Sequence, residues 1–103
     1  MRQLKFRALV TIDPTAEEEW DLQSSTRRIV VRAHRHEPER IRSFNAMVST
    51  EDQEPLRPGD TYHMVTLTVT DEEATEFLMP GEHFELWEHH EVGHGVISRR
   101  VVI

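Results

Sequence analysis

Residues 77–103 read FLMPGEHFELWEHHEVGHGVISRRVVI, and this stretch decides the fold. Pro80-Gly81 makes a turn, because proline presets φ and glycine accepts φ > 0. Phe84 to Glu88 then predicts a strand, His89 to Gly95 a tight connection, and Val96 to Val102 a final strand. Gly93 and Gly95 flank one residue at the mouth of that strand, where glycine marks a bulge or a close backbone approach. Trp87 falls opposite Phe84 and Leu86 in the alternation, which predicts an outward indole.

Working outward, the same period-two signal recurs along the chain. Phe6, Ala8, Val10 and Ile12 alternate with Lys5, Arg7, Leu9 and Thr11, which predicts a half-buried first strand ended by Asp13-Pro14. Thr15–Thr26 reads as a loop with an acidic face, one helical turn begun at Thr15, and Trp20 as an apolar plug. Ile29–Ala33 is a short β-branched strand. Pro38 lacks a ladder donor, so His34–Arg42 reads as a loop or sheet edge. Phe44, Ala46 and Val48 mark a third strand, and Pro58-Gly59-Asp60 a second turn of the same type. Tyr62–Thr70 has the cleanest alternation, with Val65, Leu67 and Val69 on one face. Asp71–Glu76 reads as an acidic connection. Six strands of five to nine residues without a convincing helix predict one all-β domain over residues 1–103, a small antiparallel Greek-key-like barrel.

Charge and composition narrow the function. A net charge of −7 runs against general nucleic-acid binding, which needs a basic footprint. The charge is uneven: residues 1–50 carry nine Arg/Lys against seven acids, and residues 51–103 carry three against twelve. Six arginines lie between Arg27 and Arg42, and the expectation is that the folded barrel interleaves the halves so that these charges pair. A local arginine patch for an anionic partner such as RNA is the alternative. The absence of cysteine excludes disulfides and thiolate chemistry. No apolar run nears the ~18 residues of a membrane span, so a cytoplasmic protein without membrane contact is expected.

The whole chain resembles the C-terminal (third) β-barrel domain of elongation factor Tu. The resemblance rests on four features in order: the strand Arg27-Arg28-Ile29-Val30-Val31-Arg32, the loop and turn Leu56-Arg57-Pro58-Gly59-Asp60, the strand Phe84-Glu85-Leu86-Trp87-Glu88, and Val92-Gly93-His94-Gly95-Val96. It implies a standalone barrel without the family's GTPase domain. The Gly-x-x-x-x-Gly-Lys-Ser/Thr loop is missing, so no nucleotide is expected. In the family this barrel touches tRNA through the closing hairpin and touches partner proteins elsewhere. Glu88 matches the family's turn glutamate, His89-His90 replace its glycine pair, and Arg28 stands where it has glutamine. With the acidic second half, tRNA binding is not carried over.

The histidines set the competing expectation. His34 and His36 have a chelating spacing, and His63 follows Pro58-Gly59-Asp60, a combination reminiscent of the cupins and their barrel-held metal. No closing glycine and no suitably spaced glutamate accompany them, so histidines near surface loops are expected instead, with no cofactor and no metal. His89, His90 and His94 cluster with Glu88 and Glu91 within the closing hairpin. No serine sits in a nucleophile elbow. The sequence therefore predicts a non-catalytic, protein-binding module. Its contact residues are Trp87, Glu88, His89, His90, Glu91 and His94 on the closing hairpin, with Arg28 and Arg32 beside them.

Overall fold

The computed structural model describes residues 3–15, 26–36 and 39–101. Its strands are β1 (Leu4–Ile12), β2 (Thr26–His36), β3 (Glu39–Thr50), β4 (His63–Val69), β5 (His83–Trp87) and β6 (Glu91–Val101), with one short helix among the described residues, α1 (Ala74–Phe77). They form a closed antiparallel barrel in the order β1-β4-β3-β2-β5-β6, closed by β6 against β1. Consecutive strands β2, β3 and β4 form a meander, and β1 lies beside β4, the Greek-key order.

Alternation builds this barrel as the sequence predicts. Phe6, Ala8, Val10 and Ile12 of β1 meet Val31, Val48, Val65, Leu67 and Leu86 among the fully buried side chains. Each large buried aliphatic or aromatic contributes about 1.5–3 kcal/mol over its exposed state. Small residues make the closure possible. A Cβ on Gly95 would lie 2.5 Å from Cζ of Phe84 and 2.7 Å from the Leu9 carbonyl oxygen. One on Gly93 would lie 2.5 Å from the Thr11 carbonyl oxygen. The paired glycines thus let β6 approach β1, which is a packing role.

Both Pro-Gly turns form. Gly59 and Gly81 each have φ 88°, and the N–H of Asp60 and Glu82 donate to the carbonyls of Arg57 (3.0 Å) and Met79 (2.9 Å). These are the positions that tolerate only glycine cheaply.

One expectation is narrowed and three are corrected. Of the two readings of His34–Arg42, loop or sheet edge, the edge holds: β2 runs to His36 and β3 starts at Glu39, and these parts pair with each other and with no other described strand, so the loop shrinks to residues 37–38, outside the described residues. The acidic connection contains a helix, because the Asp71 carbonyl and carboxylate accept the N–H groups of Ala74 (3.1 Å) and Glu73 (2.9 Å) and start a turn. That helix buries Ala74 and Phe77, and Phe77 meets Phe44 edge-on at 5.6 Å. The last strand begins at Glu91 rather than Val96, since Gly93 and Gly95 belong to the ladder. Tyr62 precedes its strand because its φ of 51° is not extended backbone. The loop reading of residues 16–25, Trp20 included, falls outside the described residues.

Candidate binding groove beside the closing hairpin

β5 stops at Trp87 because its ladder with β6 slips between Leu86 and Trp87, and the chain turns through Glu88, His89 and His90. The Glu88 N–H donates to the His90 carbonyl at 3.0 Å, closing the turn. An ion pair pins it from β2: Arg27 Nε donates to Glu88 Oε1 at 3.0 Å, and a second guanidinium nitrogen reaches the same oxygen. Both side chains are largely shielded, at 17% and 25% exposure, so this pair holds more firmly than an exposed one.

Trp87 points outward, as its parity predicts, but it is half-buried rather than free. Its Nε1–H donates to Glu85 Oε1 at 2.8 Å, and the Arg32 guanidinium lies 5.3 Å from the ring centroid. Hydrogen bond and cation–π contact together fix the indole plane. Alongside it runs an open groove of ≈ 920 Å³. Val30 and Met47 give it an apolar floor; Trp87 and His89 line one side, with Arg28, Asn45 and Thr70 at the rim. The strand register explains this grouping. Val30 pairs with both Trp87 and Asn45, and Arg28 pairs with Met47, so the outward faces of three strands converge.

Of the residues predicted from sequence, Trp87, Glu88, His89 and Arg28 therefore share one groove. Arg32 contributes by stacking on the indole. His90, Glu91 and His94 are exposed and do not line it. Val30, Met47, Asn45 and Thr70 were not singled out in the sequence. Their parity was legible, but it takes the strand order to place them side by side.

The arginine-rich stretch behaves as the interleaving reading expects. Arg35 bonds Glu76 (3.0 Å), Arg40 bonds Glu73 (2.9 Å), and Arg42 bonds both Glu73 (2.7 Å) and Asp71 (2.8 Å). Among the described residues, Arg28 meets no carboxylate.

The cupin-like trio does not assemble. His34 pairs with Ile41 near one end of β3, whereas His63 opens β4 beyond the level of Thr50 at the other. Nine residues of strand separate those levels, about 30 Å. Among the described residues no group of three or more His, Asp or Glu is placed to hold a metal. His63 is instead clamped between carboxylates: Nδ1 lies 3.1 Å from Asp60 and Nε2 3.0 Å from Asp52. Burial works to lower its pKa, but the two hydrogen bonds and their charges outweigh it and hold the imidazole above its ordinary value. The spacing of Asp60 and His63 in the Pro-Gly-Asp-x-x-His run was visible; nothing local announces Asp52. Asp52 itself is pulled below the usual carboxylate range by the bond to His63 and by the Glu54 N–H.

No helix among the described residues is long and apolar enough to cross a membrane. No family model matches the chain, and no curated protein matches it.

Proposed function

We propose that this barrel is a non-catalytic protein-binding module whose contact site is the groove beside Trp87. The observation that carries the reading is the convergence of an immobilised, outward indole with an apolar floor and a cationic rim. Rigid aromatics flanked by polar groups are what protein contacts are built from, since little side-chain entropy is lost on binding. Each strand of the closed barrel has a neighbour on both sides, which confines free edge to parts of β2 and β3 and favours recognition by side chains over strand addition. The likeness to the elongation factor Tu C-terminal domain, in its six antiparallel strands and Val-Gly-x-Gly-Val hairpin, supports an accessory, partner-holding role. RNA binding through Arg27–Arg42 loses support because Arg35, Arg40 and Arg42 are committed to acids of the same chain.

The test is affinity capture followed by identification, using wild-type protein and Trp87→Ala side by side. A partner retained by wild type and lost with Trp87→Ala is expected. Equal retention by both would move the site elsewhere, and turnover of a small molecule by the purified domain would refute the module reading.

A further inference from the structure

The groove also has a sign. It contains Arg27, Arg28 and Glu88, and the Arg27–Glu88 pair is internally neutral, which leaves Arg28 as its uncompensated charge among the described residues. This cationic groove lies on a chain whose net charge is −7. The far half of the same hairpin has its arginines matched by acids, so the missing acid at Arg28 is a local feature and not a deficit of carboxylates.

We infer, resting on the protein-binding reading above, that the occupant is an extended segment of a partner protein carrying a bulky apolar side chain and a carboxylate two residues apart. The spacing comes from the register. Val30 and Trp87 sit directly across from each other and form the apolar level of the groove. Arg28 and Met47 form the next level on the same face, two residues along β2. Two residues of strand advance about 6.6 Å, and an extended ligand presents its own residues i and i+2 on one face at the same interval. An apolar side chain seated on Val30 and Met47 against the Trp87 indole therefore brings the i+2 side chain to Arg28. A carboxylate there accepts two parallel N–H bonds from the guanidinium, the geometry arginine favours. The Thr70 hydroxyl and the Asn45 amide at the rim are placed to take the ligand's main-chain polar groups. A nucleic-acid strand fits less well, because among the described residues that line the groove Trp87 is the one large aromatic, where single strands use successive stacking platforms.

The experiment is selection of random peptides displayed on phage against the immobilised full chain, with recovered sequences resynthesised and titrated into wild type, Trp87→Ala and Arg28→Glu. The expected result is enrichment of sequences with a bulky apolar residue and Asp or Glu two positions away. Trp87→Ala and Arg28→Glu should each weaken them tenfold or more, on the scale of a buried hot-spot contact. Replacing the peptide's acid by its amide should weaken wild-type binding similarly and leave Arg28→Glu unaffected. If Trp87→Ala abolishes binding while Arg28→Glu and the amide peptide do not, the groove reading stands and the acidic-segment inference falls. If neither variant alters binding, both fall. Three further results would overturn the inference: no enrichment of any class of sequence, self-association abolished by Trp87→Ala, or displacement of the peptide by single-stranded oligonucleotide.

Discussion

The β2–β3 hairpin has two ends that use arginine in opposite ways. At the far end, Arg35, Arg40 and Arg42 lie under the segment that holds α1, and Asp71, Glu73 and Glu76 neutralise them. Phe77 and Leu78 from the same segment plug the barrel beneath those ion pairs. At the near end no helix among the described residues covers the sheet. Arg27 secures the closing turn, Arg32 lies over the indole, and Arg28 is left facing the groove. One sequence run of six arginines thus splits: Arg35, Arg40 and Arg42 are matched by acids of the α1 segment, Arg27 and Arg32 brace the closing turn and the indole, and Arg28 faces the groove. What decides a charged residue's role is the element that the topology lays over it, not the charge run it belongs to.

The largest effect that could break this division is at the covered end. Phe77→Ala should cost about 3–5 kcal/mol, the usual cost of deleting a buried aromatic, measured by chemical denaturation. The indole N–H signal of Trp87 in a proton–nitrogen spectrum should stay where it is. A moved signal would mean that the two ends are one cooperative device, and the distinction would fail. A smaller effect should come from the ion pairs. Arg42 and Glu73 are 37% and 27% exposed, so solvent screens them, yet Glu73 bridges Arg42 and Arg40 as a network. A double-mutant cycle of Arg42→Ala with Glu73→Ala should give a coupling of about 0.5–1 kcal/mol that shrinks in high salt. No coupling would reduce the covering acids to solvated ornament.

How far this division was legible depends on the range of the signals. The barrel could be read because period-two alternation is local, and because both Pro-Gly turns and the paired glycines fix backbone geometry where they stand. The interleaving of charge halves could be anticipated from the imbalance alone. The partner of each arginine could not, since Arg40 and Glu73 meet only through the strand order. Trp87's outward parity was legible too; its immobilisation by Arg32 on a neighbouring strand was not. The proline rule left His34–Arg42 as loop or edge, and the edge holds because a proline between two strands spares both ladders, whereas one inside a strand breaks it. The Asp52–His63–Asp60 clamp combined a local signal at Asp60 with an unsignalled contact across eleven residues.

That clamp gives a weaker test at a third place on the barrel. The folded-state pKa of His63 is raised, so the protonated form is favoured on folding, and both ring nitrogens then donate to carboxylates. The resulting stability is fully present below the unfolded value of about 6.5 and is lost as pH rises through the folded one. Asp52 works from the other side: its folded pKa is lowered, so its contribution is present above 3.8 and lost as pH falls through the folded value. The stability gap between wild type and His63→Gln should therefore be widest in mildly acidic solution and narrow towards pH ~8. Tracking the gap by urea denaturation across that range checks the sign, and a gap that widens with pH would contradict a charged clamp.

The smallest expected effect sharpens the comparison most. Arg28 is exposed and meets no carboxylate among the described residues, so removing its guanidinium strands no partner. Arg28→Ala should leave unfolding stability within about 0.5 kcal/mol of wild type, the range of surface substitutions away from special features. Arg27→Ala, one residue earlier, should cost more, because Glu88 is 25% exposed and would lose both of its bonds to Arg27 in a turn that they hold in place. Adjacent arginines on one strand then separate by parity: the inward one stabilises and the outward one does not. A sizeable loss with Arg28→Ala would give that guanidinium a structural task, and the groove would no longer hold an unspent charge.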